Sequence, residues 1–378
     1  MKKGEKSSLK SQLLLSKNSR GDLLIPILAI LISLIGILFI YSASNYSANI
    51  TYNDKFYYVK KQGIGFIIGV ILMLIVGKID YNILKKFVYP LMILAVILLA
   101  LIFTPIGVEV YGARRWLKFF SITIQPSEIA KFALILFTAY YFDKNIQRTK
   151  TFKGILPVLL YGGVLALLII LEPNMSITVC VVLLLLVMLY LAGVSIKFFI
   201  IMAVPLILVA ILLIVLEPYR LKRLTAFLNP WASPKGEGYQ LLQSLYALGN
   251  GGLFGVGVFN SRQKYKFLPF AESDFILSVI GEEIGLIGIS LLFVLMFLLV
   301  IRGVKTASRC KNFFGYLLSV GITSIYLIQV SVNALVVTGS IPPTGLPVPL
   351  ISAGNTSLIV FLVAFGVLYS ISKQSERI

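Results

Sequence analysis

Leu268-Pro-Phe-Ala-Glu-Ser-Asp274-Phe-Ile-Leu-Ser-Val-Ile-Gly-Glu282-Glu283-Ile-Gly285 closes the longest polar segment of the sequence and opens a hydrophobic run. Asp274 stands at the junction, and Glu282 and Glu283 follow roughly two helical turns deeper. A carboxylate at membrane depth costs about 3 kcal/mol on insertion scales, so such groups call for a reason. On a helix, Asp274, Ser278, Gly281 and Gly285 fall on one stripe with Glu282 at its edge. An N-capping aspartate followed by a salt-bridged glutamate would produce the same letters, so the surrounding chain has to decide.

Outward from this stretch the sequence is overwhelmingly apolar. Its 378 residues are 58% hydrophobic and 13% charged, too apolar for a soluble chain of this length. Ten apolar runs of spanning length lie near 23–43, 62–78, 85–104, 127–142, 153–171, 174–193, 197–216, 274–301, 312–338 and 350–371. The expected fold is an all-α polytopic membrane protein of about ten transmembrane helices, with a long extracellular loop, 217–273, between helices 7 and 8. Residues 1–22 read as a basic cytoplasmic tail, 23–371 as one membrane domain and 372–378 as a second cytoplasmic tail. The apolar run from Leu23 is too long for a cleaved signal. An even number of spans puts both termini on one side, and the larger share of Lys and Arg marks that side as cytoplasmic. Within the long loop, the apolar and aromatic content predicts a membrane-surface helix around 238–249.

Composition also removes whole classes of chemistry. Histidine is absent and the two cysteines, Cys180 and Cys310, are isolated. Ser-His-Asp or Cys-His catalysis, His-ligated zinc and a disulfide framework are therefore excluded, and acid-base work falls to carboxylates, lysine or tyrosine. The formal net charge is +19, yet no nucleic-acid-binding motif accompanies it, so anionic lipid or an anionic substrate is the expected partner.

Basic residues retained outside, against the usual bias, point to an anion there: Arg114, Arg115 and Lys118 before the fourth span, and Arg220, Lys222, Arg223, Lys235, Arg262, Lys264 and Lys266 in the long loop. Gln125-Pro-Ser-Glu128-Ile-Ala-Lys131 opens span four, with Pro126 suited to a first helical turn and Glu128 and Lys131 on one face. This pair reads either as an internal ion pair or as a phosphate-binding cation held by its neighbour. Gln240, Gln243 and Ser244 form a polar stripe of donors and acceptors that would suit sugar hydroxyls and amides. Gly249, Gly251, Gly252, Gly255 and Gly257 permit tight turns and offer backbone amides to a phosphate. The proline-rich segment 341–350 implies irregular backbone lining a cavity. One acid, several cations and a row of amides on one membrane face would serve a lipid-linked pyrophosphoryl sugar.

The order and spacing of Tyr41-Ser-Ala-Ser44, Lys61-Gln62, Asp80-Tyr81, Arg114 before Trp116, Gln125-Pro-Ser-Glu128 with Lys131, Leu228-Asn-Pro-Trp231, Gln243-Ser244, Gly251-Gly252-Leu-Phe-Gly255, Ser261-Arg-Gln-Lys264, Leu268-Pro269, Asp274-Phe275-Ile276, Glu282-Glu283 and Thr344-Gly345 resemble the SEDS family (shape, elongation, division and sporulation). The division and sporulation branch (FtsW and SpoVE) is matched better than the elongation branch. The resemblance implies a peptidoglycan glycosyltransferase that polymerises lipid II on the outer face of the bacterial cytoplasmic membrane and releases undecaprenyl pyrophosphate. It implies Asp274 as the catalytic base, and Arg114, Glu128, Lys131, Gln243, Ser244, Lys264 and Glu282 as substrate-binding residues. It also implies inversion at the donor carbon, a possible divalent cation (Mg2+ or Mn2+) and no organic cofactor. The implied partners are lipid II, the nascent glycan, a class B penicillin-binding transpeptidase and other divisome or sporulation proteins. The chain departs from the family pattern at Glu172-Pro-Asn-Met-Ser-Ile177, at Phe270 and at Ser352-Ala-Gly-Asn-Thr356. A lipid II flippase is the competing reading, since it would need the same spans and charges; an inactive scaffold is a third.

Overall fold

The structure, a computed structural model, describes residues 21–110, 113–119, 122–215 and 218–375. The basic tail at 1–20, the last three residues and Tyr111 lie outside the described residues. Each of the ten apolar runs is helical. We number the helices α1 (Leu24–Tyr52), α2 (Tyr57–Val76), α3 (Val88–Leu101), α4 (Pro126–Lys144), α5 (Phe152–Leu171), α6 (Met175–Leu191), α7 (Ile196–Val215), α8 (Pro218–Leu228), α9 (Tyr239–Gly251), α10 (Ile276–Arg309), α11 (Phe313–Val337) and α12 (Asn355–Ser375). Among the described residues, seven are long and apolar enough to cross a membrane: α1, α2, α3 with its preceding 3-10 turn, α5, α10, α11 and α12. α6 and the start of α7 are shorter apolar helices. α4 carries Glu128 and Lys131, which dilute its hydropathy.

Buried polar side chains sit where helices meet, and bulky apolar ones such as Leu286, Leu291, Val294 and Phe297 of α10 point outward, as expected where lipid is the solvent. α11 is the centre of the bundle, packed against α4, α6, α10 and α12, while α2 lies along α12. At one end, Lys85 pairs with Asp143 at 2.7 Å and Arg302 with Asp22 at 3.5 Å.

Two features were not anticipated. The loop before α4 folds into a three-stranded antiparallel sheet, β1 (Gly107–Val110), β2 (Ala113–Phe119) and β3 (Ile122–Ile124), in that order. Its register sets Leu117 opposite Ile124 and Val108 opposite Trp116, with an irregularity at Val108/Glu109. The second is a break in α10. Gly285 has φ 68° and ψ −173°, a conformation open essentially to glycine alone. The predicted surface helix is present as α9, but it packs on α10 and α11. The loop that follows it seals the break: Val256 and Gly257 donate to the carbonyls of Glu282 and Glu283 at 3.0 Å each, and Leu286 and Ile287 donate to Gly252 and Leu253 at 2.9 and 3.1 Å. The glycine amides at 255 and 257 are therefore bonded to backbone carbonyls, Gly255 to Gly251 at 2.7 Å, rather than offered to a phosphate. A Cβ on Gly255 would lie 2.2 Å from the Glu283 carbonyl oxygen, so only glycine allows this approach.

Candidate active site

Asp274 lies two residues before α10, in a turn closed by Ser273 and Phe275 donating to the Phe270 carbonyl at 3.0 and 3.4 Å. Three consecutive carbonyls fix that turn to two other elements, the segment before α12 and α11 itself. Glu272 O accepts from the Ala353 amide at 2.9 Å, Ser273 O from the Ser352 hydroxyl at 2.7 Å, and Asp274 O from Asn333 Nδ2 at 2.7 Å. Asn333, buried on α11, also donates to Leu346 O at 2.6 Å and so ties the turn to the proline-rich segment. That segment is irregular as predicted. Such over-determination holds a carboxylate in one place, the requirement for a reacting group.

The Asp274 carboxylate is half-buried. Its Oδ1 accepts from Ser273 Oγ at 3.0 Å, and Gly345 passes so close that a Cβ there would sit 3.3 Å from Oδ2. Burial pushes its pKa above the ordinary aspartate value, while Ser273 and the guanidiniums of Arg115 and Arg223 pull it back. Each arginine is itself anchored on a proline carbonyl: Arg115 Nη2 on Pro173 at 2.5 Å and Arg223 Nη1 on Pro343 at 3.2 Å. Thr344 O accepts from Ser176 Oγ of α6, which joins these pieces into one rim. Glu172, at the end of α5, is 1% exposed with neither carboxylate oxygen hydrogen-bonded. Burial raises its pKa to about 9, against the opposing pull of Arg115.

The structure distributes the sequence-predicted residues in several places. Arg114 is exposed and reaches Glu109 at 3.4 Å, because alternation on β2 turns it to the face opposite Arg115. Glu128 and Lys131 form a 2.7 Å ion pair with both side chains 0% exposed, so their charges offset each other inside the bundle. Ser244 is fully buried and joins α9 to Ser278 Oγ and Val337 O, each at 2.7 Å. Gln243 is half-buried on the same helix, one turn from Gln240, whose Nε2 donates to Pro269 O at 3.4 Å. Lys264 is buried on the Phe259 carbonyl at 2.5 Å and Glu283 at 3.4 Å. Glu282 accepts from Ser261 Oγ and from the amides of Arg262 and Gln263 at 3.3 Å each, while Glu283 accepts from Ser42 Oγ of α1 at 2.5 Å and the Ser261 amide at 3.2 Å. The two glutamates are the clamp that shapes the loop carrying Lys264. The stripe of Ser278, Gly281 and Gly285 exists, but it faces α9 and its following loop; Asp274 precedes the helix.

Sequence alone places Arg115 and Arg223 among the outer cations without distinguishing them, and does not single out Asn333. Asn333 carried a usable signal, a carboxamide within an apolar helix. Arg115 needed the strand register.

The profile of the cell cycle protein family FTSW_RODA_SPOVE matches residues 22–377. The chain is 38% identical over 371 residues to the probable peptidoglycan glycosyltransferase FtsW of Geobacter metallireducens, covering 98% of this chain and 99% of that one. It is 37% identical over 363 residues to the stage V sporulation protein E of Bacillus subtilis, covering 96% and 99%. Among solved structures, a chain from a peptidoglycan synthase complex that coordinates polymerization and crosslinking matches with TM-score 0.78 at 26% identity, over 94% of this chain and 98% of that one. The rod shape determining protein RodA of Thermus thermophilus shares the fold, with TM-score 0.65 over 93% of this chain and 97% of that one, at 24% identity. Nearly full-length matches in sequence and in fold, to relatives that keep the same end-to-end extent, place this chain in the FtsW/RodA/SpoVE family of cell cycle proteins.

Proposed function

We propose that the chain is a membrane-embedded peptidoglycan glycosyltransferase that polymerises lipid II, with Asp274 as the base. The observation that carries this reading is the Asp274 turn: a rigidly held carboxylate with its pKa raised by burial, flanked by two anchored guanidiniums. An acid whose pKa moves toward neutrality is a better proton acceptor in the transition state. In the reaction we assign, an Asp274 oxygen takes the proton of the acceptor sugar's 4-hydroxyl. The freed oxygen attacks C1 of the donor sugar from the side opposite the diphosphate, with inversion. The bond from C1 to the diphosphate oxygen breaks and its electron pair leaves with undecaprenyl pyrophosphate. Arg115 and Arg223 stabilise the charge that develops there. Arg114, Lys131 and Lys264, whose charges are directed elsewhere, are not assigned that task.

Among the described residues no three His, Cys, Asp or Glu side chains converge, so these residues offer no all-protein cage for a divalent cation. Mg2+ or Mn2+ would arrive as counter-ion of the diphosphate, and no step here passes through it. With the ten apolar runs taken as spans, the basic N-terminal tail lies in the cytoplasm and Asp274 on the outer face. A class B transpeptidase is the partner this reading calls for, and the resemblance to a chain of a peptidoglycan synthase complex supports it.

The test is lipid II polymerisation by the purified chain with its transpeptidase, wild type beside Asp274→Asn. Glycan strands from wild type and none from an equally folded variant are expected. Failure of both to polymerise, with wild-type liposomes scrambling lipid II, would establish the transporter instead.

A further inference from the structure

α1 is longer than a membrane span requires. Its 29 residues measure about 43 Å, against a hydrocarbon core of about 30 Å. The surplus turns lie at the Asp274 end of the bundle: Ser42 of α1 bonds Glu283 at 2.5 Å, and Tyr58, just past the α1–α2 connection, bonds Glu272, two residues before Asp274. Those turns form one wall of a trough of about 600 Å³, completed by the α1–α2 connection and by Tyr265 of the long loop.

Asn45 and Asn49 of α1 and Asn53, the left-handed residue that caps it (φ 52°), line this trough; the first two are four apart and share one helical face. Asn45 and Asn49 are about 6 Å apart along the axis. None of the three side-chain amides bonds another described residue. Aromatic rings flank these asparagines: Tyr41 stacked on Phe56 at 5.2 Å, and Tyr46 edge-on to Tyr265 at 5.0 Å. Tyr46, Phe56 and Tyr265 remain 39%, 41% and 49% exposed. Rings alone would be explained by the aromatic belt of a membrane interface. A belt does not call for three unengaged carboxamides between them.

Aromatic faces stack on the C–H faces of pyranose rings, and carboxamides match N-acetyl and hydroxyl groups with paired donors and acceptors. Two amides one helical turn apart, with a third at the helix end, suit a polymer of such rings. We propose that this trough is a saccharide subsite that holds the β-1,4-linked N-acetylated glycan strand beside the reacting centre. The proposal rests on the glycosyltransferase reading, deepening it with a place for the polymer. Because the strand is gripped outside the site of bond formation, the trough retains the product between additions.

Chitotetraose, a soluble β-1,4 oligomer of N-acetylglucosamine, is the probe, with the protein in lipid nanodiscs free of sugar-headed detergent. Saturation-transfer NMR should show contact between its N-acetyl methyls and the wild-type protein, and equally the Asp274→Asn protein. Asn45→Ala/Asn49→Ala should weaken binding by about tenfold or more, the loss of two hydrogen-bonding groups. Tyr265→Ala should weaken it too, and Tyr265→Phe, which keeps the ring face, should not. In lipid II assays the double variant should release shorter strands than wild type. Binding without polymerisation would leave the subsite standing and overturn the glycosyltransferase reading. Polymerisation by wild type, with no chitotetraose contact and unchanged strand length in the variants, would overturn the subsite alone. Displacement of the probe by phospholipid headgroups, with the asparagines irrelevant, would also overturn it.

Discussion

Removing Lys131 tests whether its charge serves the fold or the substrate. In Lys131→Met the Glu128 carboxylate remains at a position with 0% side-chain exposure after losing a partner 2.7 Å away. Its Oε2 has no hydrogen bond even in the intact pair, so no other group can take up the charge. Attraction at that distance is about 6 kcal/mol at an effective dielectric constant of ~20, and breaking a buried pair by deleting one partner costs about 3–5 kcal/mol. Lys131 also lies 5.6 Å over the ring of Phe361, a contact that Met retains in part. Thermal unfolding in nanodiscs, followed by intrinsic fluorescence, should show a large loss for Lys131→Met. The double variant Lys131→Met/Glu128→Gln removes both charges and should recover most of it, a coupling of about 2 kcal/mol or more. Polymerisation should follow the folded fraction in every variant. If Lys131→Met unfolds at the wild-type temperature yet makes no glycan, the ammonium acts on substrate and the burial argument is wrong.

Arg115→Ala should lower kcat/KM by about 10²–10³-fold, the usual consequence of losing one charge-stabilising donor, whereas Arg114→Ala should leave it within about twofold; initial polymerisation rates decide this. Asp274 must be ionised to accept a proton, so the rate should rise with pH through a value above the ordinary aspartate range, and Arg115→Ala should move that limb higher because the guanidinium pulls the pKa down. Glu172, with its folded pKa raised to about 9 from 4.5, costs the fold stability as pH rises through that window. Glu172→Gln should therefore gain in Tm over wild type at pH 9 and differ little at pH 5. Gly285→Ala places a Cβ 2.3 Å from the Gly255 amide nitrogen at a φ of 68°; strain of about 3 kcal/mol or more should appear as loss of folded protein in size-exclusion profiles.

Much of the architecture was legible because a membrane imposes length. Runs of apolar residues mark the helices, and Asp274 stood out because an acid at such a boundary is expensive. The sheet before α4 was hidden: its strands are short, β1 is irregular at Val108/Glu109, and no hydropathy window resolves such alternation. That omission had a direct consequence, since only the register separates Arg114 from Arg115. Among the glycines at and after the end of α9, Gly251 and Gly255 are sites of close backbone approach, but sequence cannot name what approaches; here it is the backbone at Gly281, Glu283 and Gly285. Glu282 and Lys264 are engaged by other parts of the chain that sequence alone does not reveal. A charge inside a membrane protein signals either a ligand or another charge, and which of the two depends on tertiary contacts between segments far apart in sequence.

The seal on the α10 break also governs where the chain tolerates added length. Gly252 and Leu253 are bonded to Leu286 and Ile287, and Val256 and Gly257 to Glu282 and Glu283, so everything between them hangs from a stitched neck. An extra residue in residues 258–281 must be absorbed within that closed circuit, at the expense of the Asp274 turn. The exposed segment at 234–237 lies outside it, and epitope tags or fluorescent inserts placed there would leave the neck unstretched.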